Sequence, residues 1–181
     1  MSHNVFFVSD THFGHANIIK FTDNNGNRIR PFDSIEEHDE TLVRNWNSVV
    51  QPNDRVYHLG DVVINRKFLP ILGRLNGRKK LVKGNHDIFN LKDYAPYFED
   101  ILAYRVFPKE GIICSHIPVH VDNLERFPLN VHGHTHSNFV KTTQFSSKGT
   151  PDPRYLNICV EHTNWTPVSF DFLLTKVPKA S

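Results

Sequence analysis

Four apolar residues, Val5 to Val8 in "NVFFVS", run without interruption and stop at Ser9 and Asp10. Short apolar runs that end abruptly at polar residues predict buried strands, and "RVYHLG" (55–60) and "KKLVKG" (79–84) repeat the pattern. Between the first two lies "SIEEHDETLVRNWNSVV" (34–50), which puts Ile35, Leu42, Val43, Trp46, Val49 and Val50 roughly on one helical face. Ser34 precedes Glu37 by three residues, a capping-box spacing, so an amphipathic helix packed on a sheet is predicted. "KFLPILGRL" (67–75) predicts a short second helix. After residue 95 the pattern changes to short strands: "ILAYRVF", "GIICSH", "LNVHG", "FVKTTQF", "YLNICV" and "VSFDFLL", separated by Gly, Pro and Asn turns. Strands alternating with helices, followed by a mostly β half, predict an α/β fold: a layered α/β/β/α sandwich with two mixed sheets. In such sheets functional groups gather at the carboxyl ends of the strands.

A length of 181 residues suits a single domain over residues 1–181. With 39% hydrophobic and 22% charged residues the chain has the composition of a soluble globular protein, neither disordered nor fibrous. A net charge of +2, with no basic run longer than "GRKK" (77–80), does not advertise a long nucleic-acid groove, although a small nucleotide or a short strand fits. The N-terminal apolar run is too short for a signal peptide or a membrane span, so a cytoplasmic location and no membrane partner are expected. Cys114 and Cys159 lack CxxC spacing and sit in apolar runs, which predicts reduced core residues. "TDNNGNRIRP" (22–31) and "SSKGTPDP" (146–153) predict loops.

The segment "NVHGHTHSN" (130–138) places His134 and His136 two residues apart. On an extended strand both would project from one face, half of a metal site. Asp10 and His12 in "VSDTHFGH" share that spacing at the end of the first run. Gly60 and Asp61 end the second, Asn85, His86 and Asp87 follow the third in "LVKGNHD", and His116 ends "IICSH". Each alone is an ordinary turn or a solvated histidine. Five strand ends that all finish in Asp, Asn or His are hard to produce by accident.

The ordered set D-x-H (Asp10, His12), GD (Gly60, Asp61), GNHD (Gly84 to Asp87), SH (Ser115, His116) and GHTH (Gly133 to His136) closely resembles the calcineurin-like metallophosphoesterases, in particular small single-domain members. The resemblance implies one divalent ion on Asp10, His12, Asp61 and His136, and a second on Asp61, Asn85, His116 and His134, with Asp61 shared. The one-residue gap between His134 and His136 matches metal sites about 3.5–4 Å apart. Mn²⁺ is the expected ion, with Fe, Zn, Ni, Co or Mg as alternatives. Two such ions would lower the pKa of a shared water and make it the nucleophile on phosphorus. By the same resemblance His86 is not a ligand but the group that protonates or stabilises the leaving oxygen, with Asp87 orienting its imidazole. Ser115 stands where many relatives have Gly, another small residue.

The expected activity is hydrolysis of phosphate esters, in particular nucleotide phosphodiesters such as 2',3'-cyclic phosphates, with a nucleotide or nucleic-acid terminus as partner. The alternatives are a phosphomonoesterase or a metal-binding interaction scaffold on the same fold. A structural zinc module fits less well because such sites are usually rich in cysteine. Candidate substrate contacts are Asn85, His15, Arg28 and Arg30; for the arginines the competing reading is an exposed charged loop. Phe13 and Phe32 are candidate stacking residues, with a core role favoured for each. His58 and His132 are expected to face away from the ligands, and His120 and His162 receive no role.

Overall fold

The continuous apolar runs are strands covered on both faces. The computed structural model describes residues 3–23, 25–142 and 149–178. Among them are strands β1 (Val5–Val8), β2 (Arg55–His58), β3 (Arg78–Val82), β4 (Asp100–Leu102), β5 (Arg105–Phe107), β6 (Ile112–Ser115), β7 (Leu129–His132), β8 (Tyr155–Asn157) and β9 (Val168–Ser169). They form two mixed sheets, one in the order β4-β3-β2-β1-β9 and one in the order β5-β6-β7-β8. In the first, β1 to β4 run parallel and β9 antiparallel; in the second, only the β5–β6 pair is antiparallel. The expected α/β architecture with two mixed sheets is what forms.

Alternation along the strands divides the core. Phe6, Val8, Val56 and Leu81 join Leu42, Val43 and Trp46 of helix α1 (Ile35–Val49) in one cluster. Their neighbours Phe7, Tyr57 and Val82 join Ile112, Cys114, Leu129 and Val131 of the second sheet in another. Ser34 caps α1 by accepting the Glu37 amide at 3.0 Å, while the Glu37 carboxylate accepts the Asp33 amide at 2.8 Å, one residue earlier than the standard box. Over the outer face of the second sheet the cover is a 3-10 turn (Val121–Glu125) and its approach, tied down where Val119 donates to Asn130 Oδ1 and accepts from the Tyr155 hydroxyl.

Several element boundaries differ from expectation. "ILAYRVF" is two strands: β4 closes the first sheet and β5 opens the second, so the break at Ala103 and Tyr104 is where the chain changes sheets. "VSFDFLL" is β9 followed by helix α3 (Phe170–Leu174), because Ser169 accepts the Phe172 amide and caps a helix there. "KFLPILGRL" is a 3-10 helix (Arg66–Arg74) around Pro70, and a further short helix, α2 (Leu91–Tyr94), starts at Asn90. In "FVKTTQF" only a bridge from Lys141 to Pro151 appears, and residues 143–148, which also take in the start of the expected 146–153 loop, lie outside the described residues. Among the described residues no helix is long and apolar enough to cross a membrane.

Candidate metal centre

The parallel registers Val8↔His58 and His58↔Leu81, with Ser115↔His132 in the second sheet, align the carboxyl ends of five strands along one edge. Backbone bonds from Asp10 to Gly60, from His12 to Asp61 and from Gly133 to His116 tie the following turns together. All seven residues expected as ligands are therefore brought to one place.

The local geometry is not the extended one that the i, i+2 spacing suggests. β1 ends at Val8 and β7 at His132, so both motifs lie in turns. Asp10 (φ 57°), His12 (48°), Asp61 (57°), His134 (69°) and His136 (48°) all adopt the left-handed region, which among the other described non-glycine residues only Asn164 and Trp165 share. Such conformations are costly and concentrate where function holds them. His134 and His136 consequently diverge, each toward a different group of side chains.

In the first group the ligand-type atoms of Asp10, His12 and His136 lie within 4.8 Å of one another. Asp10 Oδ2 is already committed, accepting from Ser9 Oγ at 2.6 Å, the His134 amide at 2.9 Å and Cys159 Sγ at 3.2 Å. Its Oδ1 has no hydrogen-bond partner and points to His12 Nε2 at 3.7 Å and His136 Nε2 at 3.9 Å. Both ring nitrogens of buried His12 are likewise unpartnered. In the second group Asn85 Oδ1 sits between His116 Nε2 at 2.8 Å and His134 Nδ1 at 2.9 Å. Asp61 links the groups: Oδ1 accepts the His86 amide at 2.8 Å, while Oδ2 lies 3.7 Å from His12 Nε2 and 3.5 Å from His116 Nε2.

Electrostatics and donor chemistry both suit a cation. Burial works against ionising Asp10, yet His12, His116 and His136 hold its carboxyl well below the usual carboxylate range. Burial pushes the His12 imidazole down to about 4, so it is neutral and ready to ligate, and pushes Asp61 up to about 6 against the pull of His116. Buried carboxylate oxygen and imidazole nitrogen without partners are a donor set that a divalent ion satisfies. Glycines make the close approach possible. A Cβ on Gly133 would lie 2.2 Å from Asp10 Oδ2, and one on Gly84 would lie 2.3 Å from Asp61 Oδ1.

Behind the candidate ligands is a network that the motifs do not reveal. Glu161 Oε1 accepts from His136 Nδ1 and from Arg30 Nε, each at 2.9 Å, and forms an ion pair with Arg30 Nη2 at 2.8 Å. Burial opposes the Glu161 charge, but Arg30 and His136 prevail and bring its pKa down to about 2. Burial also opposes charge on His136, where Glu161 and Asp10 raise the pKa overall. Arg30 is fully buried, and each of its three guanidinium nitrogens donates a hydrogen bond. Besides Glu161 it donates to the carbonyls of Asp10 at 2.6 Å and Thr11 at 3.1 Å and to His38 Nε2 at 2.9 Å. A buried guanidinium committed in this way is not presented to a phosphate, so its expected substrate contact is corrected: it clamps the Asp10–Thr11 turn. Glu161 follows β8 in "NICVEH", so the strand-end rule applied to the candidate ligands reaches it too. A carboxylate that orients a ligating histidine typically contributes 10- to 100-fold in metal affinity. Glu161→Gln should therefore weaken divalent-ion binding by about that factor in a metal titration; unchanged affinity would remove Glu161 from the centre.

Asp87 is also corrected. Its carboxylate accepts the amides of Asp61 and Gly84, each at 2.8 Å, and of Val62 at 3.0 Å, so it locks two ligand turns together and does not touch the His86 ring. His86 is exposed, its ring 5.8 Å from that of His12 in edge-on contact. His15 is half-buried, with ring centroids 6.0 Å from His12 and 6.2 Å from Phe21. Arg28 is held by its own loop, donating to the Phe32 carbonyl at 2.7 Å and Asp33 at 3.2 Å. Phe13 and Phe32 are buried, and both cysteines are free and buried. His162 donates to the His136 carbonyl at 2.7 Å, and His120 caps the 3-10 turn at Val121–Glu125.

His58 and His132 face away from the ligands, as expected. The Thr11 hydroxyl spends its proton on the Val62 carbonyl, so His58 Nε2 must donate to it, leaving Nδ1 to accept the Gly60 amide. The bonds require a neutral ring, and burial lowers His58 to about 3 and His132 to about 4, from 6.5. Between those values and 6.5 the unfolded chain binds more protons, so stability is lost as the pH falls through that window. Urea unfolding at successively lower pH should show a loss approaching about 1.4 kcal/mol per pH unit for each histidine. A flat profile over that range would contradict the neutral assignment.

No protein-family model matches the chain. Its sequence is 34% identical over 181 residues to the uncharacterized protein MJ1445 of Methanocaldococcus jannaschii, covering 97% of this chain and 92% of that one. The crystal structure of AQ665 from Aquifex aeolicus, a protein of unknown function, superposes with a TM-score of 0.68 at 29% identity, covering 95% of this chain and 98% of that one. A predicted phosphoesterase from Streptococcus pneumoniae, 17% identical, overlaps 88% of this chain and 72% of that one with a TM-score of only 0.37. Similarity that spans both sequences almost end to end places the chain in the family of the M. jannaschii protein MJ1445.

Proposed function

We propose that the protein is a divalent-metal-dependent phosphoester hydrolase. The observation that carries this reading is a donor set in which Asp10 with His12 and His136, and Asp10 with Asp61 and His116, each lie close enough for one ion, with Asp61 Oδ2 facing both His12 and His116 and with Asp10 Oδ1 and both His12 nitrogens buried and unpartnered. Asp10, His12, Asp61 and His136 would hold one ion, and Asp61, Asn85, His116 and His134 a second, with Mn²⁺ the first ion to try. Bound there, the ions would supply Lewis-acid polarisation and a nucleophile at neutral pH.

The chain's own groups do the rest. Glu161 holds His136 with Nε2 toward Asp10, and the Leu59 carbonyl holds His116 by Nδ1 at 2.8 Å with Nε2 toward Asp61. The His86 imidazole has no hydrogen-bond partner among the described residues and stands at the exposed rim, where it can give a proton to a departing oxygen. A nucleotide phosphodiester, including a 2',3'-cyclic phosphate, is the proposed substrate; a monoester is the alternative within the same chemistry. An interaction scaffold would have no need to keep five ligand-type residues in a costly backbone conformation.

A panel of monoesters, linear diesters and cyclic nucleotides, assayed with Mn²⁺ and with chelator, tests the reading. Metal-dependent release from at least one class is expected. No release from any class by metal-loaded protein would overturn it.

A further inference from the structure

A cavity of roughly 680 Å³ adjoins the metal centre, a volume in the range of small-molecule pockets. It is lined by the apolar side chains Ile18, Phe21 and Ile29 and by the loop His134 to Asn138. Phe21 stays 49% exposed although it belongs to that lining. On that loop the Ser137 hydroxyl and the Asn138 amide have no hydrogen-bond partner among the described residues. The Arg30–Glu161 pair also borders the cavity and cancels its own charge, which leaves Lys20 as a positive excess.

We propose that this cavity is a nucleobase subsite, with the base stacked on Phe21 and its edge read by Ser137 and Asn138. An exposed ring in the same cavity as amide and hydroxyl groups that lack partners among the described residues suits a ligand with a flat apolar face and a polar edge. A purely aliphatic group would cover Phe21 but bury the Asn138 amide unsatisfied, at a cost in free energy. Lys20 favours an anionic ligand. The ring series Phe21, His15, His12, with centroids 6.2 and 6.0 Å apart, connects the subsite to a candidate metal ligand in two steps, a span suited to a base joined through ribose to its phosphate. The proposal rests on the hydrolase reading only for where the phosphate goes.

The test is calorimetric, on chelator-treated protein, with adenosine 5'-monophosphate and ribose 5-phosphate as probes. Wild type should bind the nucleotide about tenfold more tightly than the sugar phosphate, within the range that stacking contributes to a bound base. Phe21→Ala should abolish that difference and leave ribose 5-phosphate affinity unchanged. Phe21→Leu, which keeps apolar area without a ring face, should restore only part of it. Equal affinity of wild type for both probes, or an equal loss for both in Phe21→Ala, overturns the subsite. The two readings fail separately. Metal-loaded protein that cleaves nitrophenyl phosphate without any preference for the nucleotide leaves the hydrolase standing and removes the subsite; ring-dependent nucleotide binding without hydrolysis does the reverse.

Discussion

Replacing Asp61 with asparagine is expected to lower divalent-ion occupancy at both positions of the centre, not at one. Asp61 Oδ2 lies between His12 and His116, at 3.7 and 3.5 Å from their Nε2 atoms, so one oxygen faces both donor groups. Its other oxygen is held by the His86 amide, and its backbone amide by Asp87. The substitution removes the charge with little change in shape. The loss of affinity should exceed the roughly 10- to 100-fold that follows from removing an outer partner of a ligand. Metal analysis of dialysed protein, with activity measured alongside, decides the matter. If the variant keeps both ions and full activity, Asp61 is not shared. His136→Ala and His134→Ala should each deplete mainly one position, because the two histidines turn toward different groups, Asp10 and Glu161 for one and Asn85 for the other. Loss of the same ion in both variants would contradict the division.

His86→Ala should keep its metals and lose about 10²- to 10⁴-fold in activity on esters with poor alkoxide leaving groups, the usual contribution of general acid catalysis. His86 sits beside Asn85, and a reading from clustering alone would make it another ligand. In the structure its backbone amide donates to Asp61, while its ring stays exposed at the edge of His12. An aryl ester whose departing oxygen needs no proton should suffer much less. Wild type and variant are compared on a nucleotide ester and a nitrophenyl ester, with metal content measured on the same samples. An equal loss on both esters with metal retained would favour charge stabilisation or positioning over proton donation; loss of metal would return His86 to the ligands. Because Asp87 spends its carboxylate on three backbone amides, Asp87→Asn should act through the folding of the Asp61 and Gly84 turns and not through the leaving group.

The ligand-type residues and the edge that carries them were legible in one dimension because strands are short and their ends abrupt. Where an apolar run stops at Asp, Asn or His, that residue stands at the carboxyl end of a strand, and parallel pairing brings all such ends to one side. The helix at Ile35–Val49 was legible for a similar reason, since its cap and its apolar face are local features. The elements that went astray depend on what a segment meets in space. "ILAYRVF" divides because its two halves pair with different sheets, and "VSFDFLL" turns helical once Ser169 caps it. The same limit applies to side chains. Hydrophobic pattern and motif spacing describe a residue's own element, whereas the roles of Arg30, Asp87 and Glu161 depend on distant partners: Asp10, 20 positions from Arg30; Asp61, 26 from Asp87; and Arg30, 131 from Glu161. Arg30 in a polar loop and Asp87 beside a histidine look free to act on a substrate. Only the packed chain shows their donors and acceptors already spent on the backbone and side chains that hold the ligands in place, because a buried charge takes whatever partners folding brings within reach.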